Sequence, residues 1–175
     1  MRSRDRQKST ILRFLDMKYL ILLIFLNACS VSFRGVTVPT GVNTFFVGSF
    51  VDNSDIVFPT LSQETTDALI NKIFKETNLV QEDTDPHIEF SGVVTARISS
   101  EAPQAGQASS LDRLEITLSV EYTNNLNDED NWKSSFSNFE NFDPGENLDA
   151  IRDDLVASIL DNVMEDVYQK AFTNW

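Results

Sequence analysis

Most of what builds a catalytic or metal centre is missing from this chain. It has one cysteine, Cys29, and one histidine, His87. A lone cysteine closes no internal disulfide, so the folded part must rest on its own hydrophobic core. A zinc site needs several Cys or His ligands, and no second residue of either kind exists. A nucleophilic triad needs a nucleophile, a base and an orienting acid close in space. His87, next to Pro86 at a strand start, reads instead as a solvated edge residue. No glycine-rich phosphate loop is present. The acidic run "NDEDN" fails as a calcium loop: counted from Asn127, Trp132 and Asn138 stand where Gly and Glu are required. It reads as a solvated turn. No catalytic residue, metal or cofactor is assigned, and the chain is not expected to be an enzyme.

Basic charge is also scarce, and it is unevenly placed. The chain carries 14 Lys and Arg against 27 Asp and Glu. Arg2, Arg4, Arg6, Lys8, Arg13 and Lys18 all precede Cys29, with only Asp5 and Asp16 among them. The remainder has 8 basic and 25 acidic residues, a net charge of −17. Such a body does not attract nucleic acid and is repelled by anionic membrane surfaces.

Long apolar runs are limited to one, "YLILLIFLNACS", residues 19–30. As a helix, Tyr19 to Ala28 rises about 15 Å, half of what a bilayer core needs. A basic segment, a short apolar stretch and small residues at its end describe a secretory signal. The ending Leu26-Asn27-Ala28-Cys29 is similar to a bacterial lipobox, which implies cleavage before Cys29 and acylation of its thiol. Acyl chains then hold the body on a membrane. A simple signal peptide with Cys29 as a stray thiol is the alternative. Met17 is an alternative start, because Met17-Lys18 and the apolar run already form a short signal. The expected organisation is a signal peptide over 1–28, a lipidated tether over 29–43 punctuated by Gly35, Pro39 and Gly41, and a single domain over 44–175.

What is present is periodicity. "RLEITLSVEYT", residues 113–123, alternates cleanly: Leu114, Ile116, Leu118, Val120 and Tyr122 face one way, Arg113, Glu115, Thr117, Ser119, Glu121 and Thr123 the other. Residues 44–51 form a first strand. Thr60 and Gln63 fit a capping box opening a helix over Leu61–Thr77. Residues 87–99 alternate, 101–110 form a polar loop, and 132–142 make a further strand. Phe136, Phe139 and Phe142 read as core, with acyl-chain binding as the other use. A last helix over Leu148–Phe172 carries Leu148, Ile151, Leu155, Ile159, Val163, Val167 and Ala171 in one stripe. The order β-α-β-β-β-α gives an α+β two-layer sandwich, an about four-stranded, mainly antiparallel sheet with two helices on one face. Its other face is polar and meets water or a polar partner.

Three segments carry a resemblance: "PTLSQETTDALINKIFKETNL" (59–79), "LDRLEITLSVEYTN" (111–124) and the stretch from Ser135 to the "KAFTNW" ending at Lys170–Trp175. With the lipobox and the element order they resemble LptE-type lipoproteins of the Bacteroidetes-like branch, over nearly the whole chain. The resemblance implies an outer-membrane lipoprotein in lipopolysaccharide assembly, facing the periplasm and the lumen of an LptD-like β-barrel partner. In that role it plugs the barrel and helps deliver lipopolysaccharide to the cell surface. The alternative is an accessory lipoprotein of another envelope transport complex. Cys29 is then the lipid attachment site. Arg97 and Arg113, on the polar faces of strands flanking the 100–110 hairpin, are candidates for a lipopolysaccharide phosphate contact, unless Glu115 or Glu101 neutralises them. Thr117, Ser119 and Glu121 are candidates for the barrel interface.

Overall fold

The structure, a computed structural model, describes residues 38–56, 58–101 and 110–173. The expected signal peptide, Cys29, most of the tether, the 102–109 part of the polar loop and Trp175 lie outside the described residues.

The central strand follows directly from its alternation. Leu114, Ile116, Leu118 and Val120 are fully buried and Tyr122 nearly so, at 2% exposure. Each such side chain removed from water contributes about 1.5–3 kcal/mol before entropy is charged against it. The chain runs β1 (Thr44–Val47), β2 (Val51–Asp52), α1 (Leu61–Glu76), β3 (Val80–Gln81), β4 (Ile88–Glu101), β5 (Leu111–Asn124), β6 (Trp132–Phe142) and α2 (Leu148–Phe172), with a 3-10 turn at Asp128–Asp130. β4, β5 and β6 form an antiparallel meander. The boundaries expected for β6 and α2 are those observed.

The sheet is larger than four strands and is mixed. Six strands lie in the order β3-β1-β4-β5-β6, with β2 also beside β4. β1 and β2 pair with β4, and β3 with β1, all in parallel. The expected first strand is thus two pieces. Gly48 donates its N–H to the Phe90 carbonyl at 2.8 Å, and the chain then leaves the ladder. Phe50 turns into the core at 1% exposure, and its N–H donates to Thr66 Oγ1 of α1 at 3.2 Å. The ladder resumes at Val51, and Asn53 N–H reaches the Val94 carbonyl at 2.9 Å. The Phe50 ring is buried at little hydrogen-bonding cost, because its N–H and C=O both find partners on α1, Thr66 and Ser62.

Both helices cover the face formed by Phe45, Val47, Ile88, Phe90, Val94, Ala96 and the inward side of β5, and share one core with it. α1 buries Leu61, Thr65, Leu69 and Ile73. α2 buries Val156, Ile159, Leu160, Val163, Met164, Val167, Tyr168 and Phe172, while Leu148, Ile151, Leu155 and Ala171 of the expected stripe are only partly buried. Asn147 caps α2, accepting the Asp149 N–H at 3.1 Å. The capping box expected at Thr60 does not form: Thr60 makes no side-chain cap. Its hydroxyl donates to Glu64 Oε1 at 2.6 Å and accepts from Arg152 Nη2 of α2 at 2.9 Å. A tertiary partner has taken the oxygen that a local motif would have used.

Two cations tie the helices together. Lys72 of α1 pairs with Glu165 of α2 at 2.5 Å and with Glu76 at 3.4 Å. Burial lowers the Lys72 pKa, but the two carboxylates outweigh it and hold the ammonium above its ordinary value. Arg152 pairs with Glu64 at 3.1 Å and lies over the Phe58 ring at 5.1 Å.

Candidate functional site

The face of the sheet opposite the helices is built by β4, β5 and β6. Because side chains alternate, everything the core excludes from these strands collects there. β5 contributes Arg113, Glu115, Thr117, Ser119 and Glu121. Opposite them β6 sets Asn141, Phe139, Ser137, Ser135 and Lys133, and β4 sets Ser99, Arg97, Thr95, Val93 and Ser91. All five surface candidates from the sequence therefore share one face. A polar chain crosses it: Thr117 Oγ1 lies 3.3 Å from Ser137 Oγ, which donates to Glu115 Oε1 at 2.9 Å. Glu121 pairs with Lys133 at 3.5 Å, both side chains more than half exposed. Exposed pairs of this kind contribute little to stability and are available for exchange with a partner.

Arg97 and Arg113 are diagonal neighbours on this face. Arg97 is exposed and stands directly opposite Glu115. Arg113 is half-buried; its guanidinium lies 3.8 Å from the centre of the Phe139 ring, and its Nε donates to Asn141 Oδ1 at 3.2 Å. The three β6 phenylalanines do not act alike. Phe142 and Phe136 face the core side, whereas Phe139 lies on the outer face, 42% exposed under Arg113. Their spacing of three residues forces this split on a strand of period two.

His87 is half-exposed at the start of β4 but is tied into the fold by hydrogen bonds. Its Nδ1 accepts the Asn43 N–H at 3.0 Å and its own N–H donates to Thr44 Oγ1 at 3.0 Å, so it stitches β1 to the start of β4. Among the described residues no group of three His, Cys, Asp or Glu is placed to hold a metal ion. No helix among them is long and apolar enough to cross a membrane.

The sequence reading missed a pocket of about 590 Å³ at the far end of the sheet. The β5–β6 turn, the C-terminal end of α2 and residues Pro39 and Thr40 wall it. Tyr122 forms part of its lining and is stacked on Trp132, ring centres 5.3 Å apart and planes 11° apart. The Tyr122 hydroxyl is buried and has no hydrogen-bond partner among the described residues. Burial, and then the charge of Asp130, push its pKa up to about 12, so it remains protonated. Alternation placed Tyr122 on the core side, but nothing in its spacing signals a hydroxyl without a partner.

A small two-layer α+β domain, one face closed by helices and the other left as a polar sheet, is an architecture found among bacterial lipoproteins. Its fold is similar to that of a minor lipoprotein of Acinetobacter baumannii, with a TM-score of 0.53 at 6% identity over 73% of this chain and 91% of that one. It is equally similar to a hypothetical protein of Chlamydia trachomatis, with a TM-score of 0.53 at 5% identity over 76% of this chain and 99% of that one. An uncharacterised lipoprotein B of Nitrosomonas europaea gives 0.51 at 9% identity over 80% and 87%. By sequence, no curated protein matches the chain. The family model for LptE, described as lipopolysaccharide-assembly, matches residues 42–171. The chain belongs to the LptE family, which places it in lipopolysaccharide assembly.

Proposed function

We propose that the protein is held on the outer membrane by lipid at Cys29 and serves as the plug and assembly partner of an LptD-like β-barrel that passes lipopolysaccharide to the cell surface. The observation that carries this reading is the outer face of β4–β5–β6, a broad polar surface of hydroxyls, amides and exposed charges. A barrel lumen presents a polar wall, because lumen-facing and lipid-facing residues alternate along each strand. A sheet face that is mostly polar can lie against such a wall, and the Phe139 ring on it is covered on one side by the Arg113 guanidinium. Thr117, Ser119 and Glu121 sit at the centre of that face. The acidic body, net −17 after Cys29, makes lipid rather than charge the means of attachment.

The test is co-purification. The full-length protein should leave gentle outer-membrane extracts in a one-to-one, detergent-resistant complex with a β-barrel, with more than about 2,000 Å² buried as in obligate complexes. Thr117→Trp with Ser119→Trp should keep the melting temperature and lose the barrel. Depletion should leave the barrel misassembled. A protein that extracts alone, with normal surface lipopolysaccharide after depletion, overturns the reading. The anchor has its own test: mass spectrometry should find an acylated N-terminus at Cys29, and Cys29→Ser should give an unprocessed or soluble form.

On the same reading Arg97 and Arg113 meet an anionic phosphate of lipopolysaccharide. Arg113 is pre-positioned by its stacking on Phe139, which lowers the entropy lost on contact. Arg97→Glu with Arg113→Glu should weaken lipopolysaccharide binding and lower the melting temperature little. Unchanged binding removes the assignment.

A further inference from the structure

We propose that the pocket at the β5–β6 turn binds a sugar ring. The inference stands on the pocket alone and does not depend on the barrel. A buried hydroxyl without a partner is destabilising, and a ligand that supplies the missing acceptor removes that cost. Tyr122 is such a group among the described residues, 2% exposed, and it is one of the residues that line the pocket.

The chemistry around it selects the ligand class. Glu129 and Asp130 supply acceptors, Asn127 and Asn131 supply amide donors, and Lys170 supplies one cation. Several of these atoms are already fixed. Asn131 Oδ1 accepts the Asn124 N–H at 2.6 Å, and Asn127 Oδ1 accepts the Glu129 N–H at 3.4 Å, so both amides turn their NH₂ groups outward from those bonds. Asp130 Oδ2 accepts from Asn124 Nδ2 at 2.9 Å. A phosphate or carboxylate would face two carboxylates and the negative end of α2 against a single ammonium. An organic cation would face Lys170. A polyhydroxy ring suits the mixture, because each hydroxyl both donates and accepts. The partly exposed Trp132 indole offers an aromatic surface to the C–H face of such a ring. The volume, about 590 Å³, is that of a small-molecule site. Trp132 lines the pocket and is stacked parallel on Tyr122, so a ligand that pairs with the phenol oxygen also touches the indole. Binding is therefore coupled to the environment of Trp132.

That coupling supplies the assay. The chain has two tryptophans, Trp132 and Trp175. In a Trp175→Phe background, Trp132 is the only fluorophore of its kind. The probes are methyl glycosides of glucose, galactose, mannose and N-acetylglucosamine, with sodium phosphate as the competing anion. A saturable fluorescence change with at least one glycoside, and none with phosphate, is expected. Tyr122→Phe keeps the ring and deletes the hydroxyl. It should weaken glycoside binding about tenfold, the loss of roughly one hydrogen bond, while leaving the melting temperature equal or higher. A structural role alone would leave binding untouched. Two further arms identify the source of the sugar: oligosaccharide freed of lipid from lipopolysaccharide, and soluble peptidoglycan fragments. Tighter binding of either upholds the pocket and names the glycan that fills it. No saturable change with any saccharide, a response to phosphate alone, or equal binding by Tyr122→Phe overturns the proposal. Each of these outcomes is read on the isolated protein and leaves the barrel test standing.

Discussion

Gly92 is where a single methyl group should do the most damage for its size. It lies on β4 in the row of core-facing positions between Phe90 and Val94, directly opposite Val120 on β5. A Cβ built there falls 1.9 Å from the Ser119 carbonyl oxygen and 3.0 Å from Cε1 of Phe50. The first neighbour is backbone, held in the longest antiparallel ladder of the sheet, so it cannot swing aside as a side-chain tip would. Phe50 is the ring whose burial interrupts the first strand, and it is 1% exposed. Relief of the clash must therefore pull β4 from β5 or push Phe50 out of the core. Overpacking a tight core costs about 1–3 kcal/mol, and a backbone collision belongs at or above the upper end. At about 3 kcal/mol, and roughly 4 °C per kcal/mol for a domain of this size, Gly92→Ala should lower the melting temperature by about 12 °C. Circular dichroism during thermal and urea unfolding measures it, with an unchanged urea slope showing that stability, not compactness, has moved. Gly48→Ala is the control. Its Cβ meets nothing nearer than the Phe90 carbonyl oxygen at 3.6 Å, an ordinary contact. The change should be near zero, or stabilising by a few tenths of a kcal/mol through the unfolded chain. If Gly92→Ala costs less than about 1 kcal/mol, or no more than Gly48→Ala, the close approach of β4 and β5 is wrong. The same variant bears on function, because the squeezed carbonyl belongs to Ser119 at the centre of the proposed docking face.

Phe172→Ala should cost about 3–5 kcal/mol, since the ring is 1% exposed and packs 5.1 Å from Tyr168 and 6.3 Å from Phe90; denaturant unfolding reads the loss. Arg152→Ala should cost about 1–2 kcal/mol, because it strips Glu64 and Phe58 of one partner at the junction of α1 and α2, and Arg152→Lys should recover only part of it. Stability should fall as pH rises from 10 through 12. Tyr122 and Tyr168, buried and near carboxylates, are both pushed up to about 12 from 10.0, so the unfolded chain loses these protons first and gains stability relative to the fold. Lys72 acts in the same direction: its raised pKa contributes stability that is complete below 10.5 and is lost above it. Tyrosinate absorbance and circular dichroism followed together should show ionisation and unfolding coinciding; tyrosines that ionise near pH 10 in the folded state refute the burial argument.

β5, β6 and α2 were legible in the sequence because each is decided by its own period. Alternation over β5 sorts residues between core and surface whatever lies beside the strand, and a 25-residue stripe at helical spacing needs only some apolar layer to pack against. The shared face of Arg97, Arg113, Thr117, Ser119 and Glu121 follows from the same parity once β4 and β5 pair. The edge of the sheet on the β1 side is a different matter. β2 and β3 are two residues each, too short to carry a period, and they exist only because β4 and β1 present open hydrogen-bonding groups to them. Thr60 had a sound local motif and lost it to Arg152, a residue 92 positions away. His87, alone and next to a proline, showed no sign of its bonds to Asn43 and Thr44, which lie more than forty positions upstream. The pocket is the strongest case. Its walls come from Pro39 and Thr40, the β5–β6 turn and the last turn of α2, and among the described residues none of these segments gives the Tyr122 hydroxyl a partner. Period is a property of neighbours along the chain, and sequence alone can state it; the satisfaction of a particular donor or acceptor depends on distant segments meeting, and only the folded arrangement decides that.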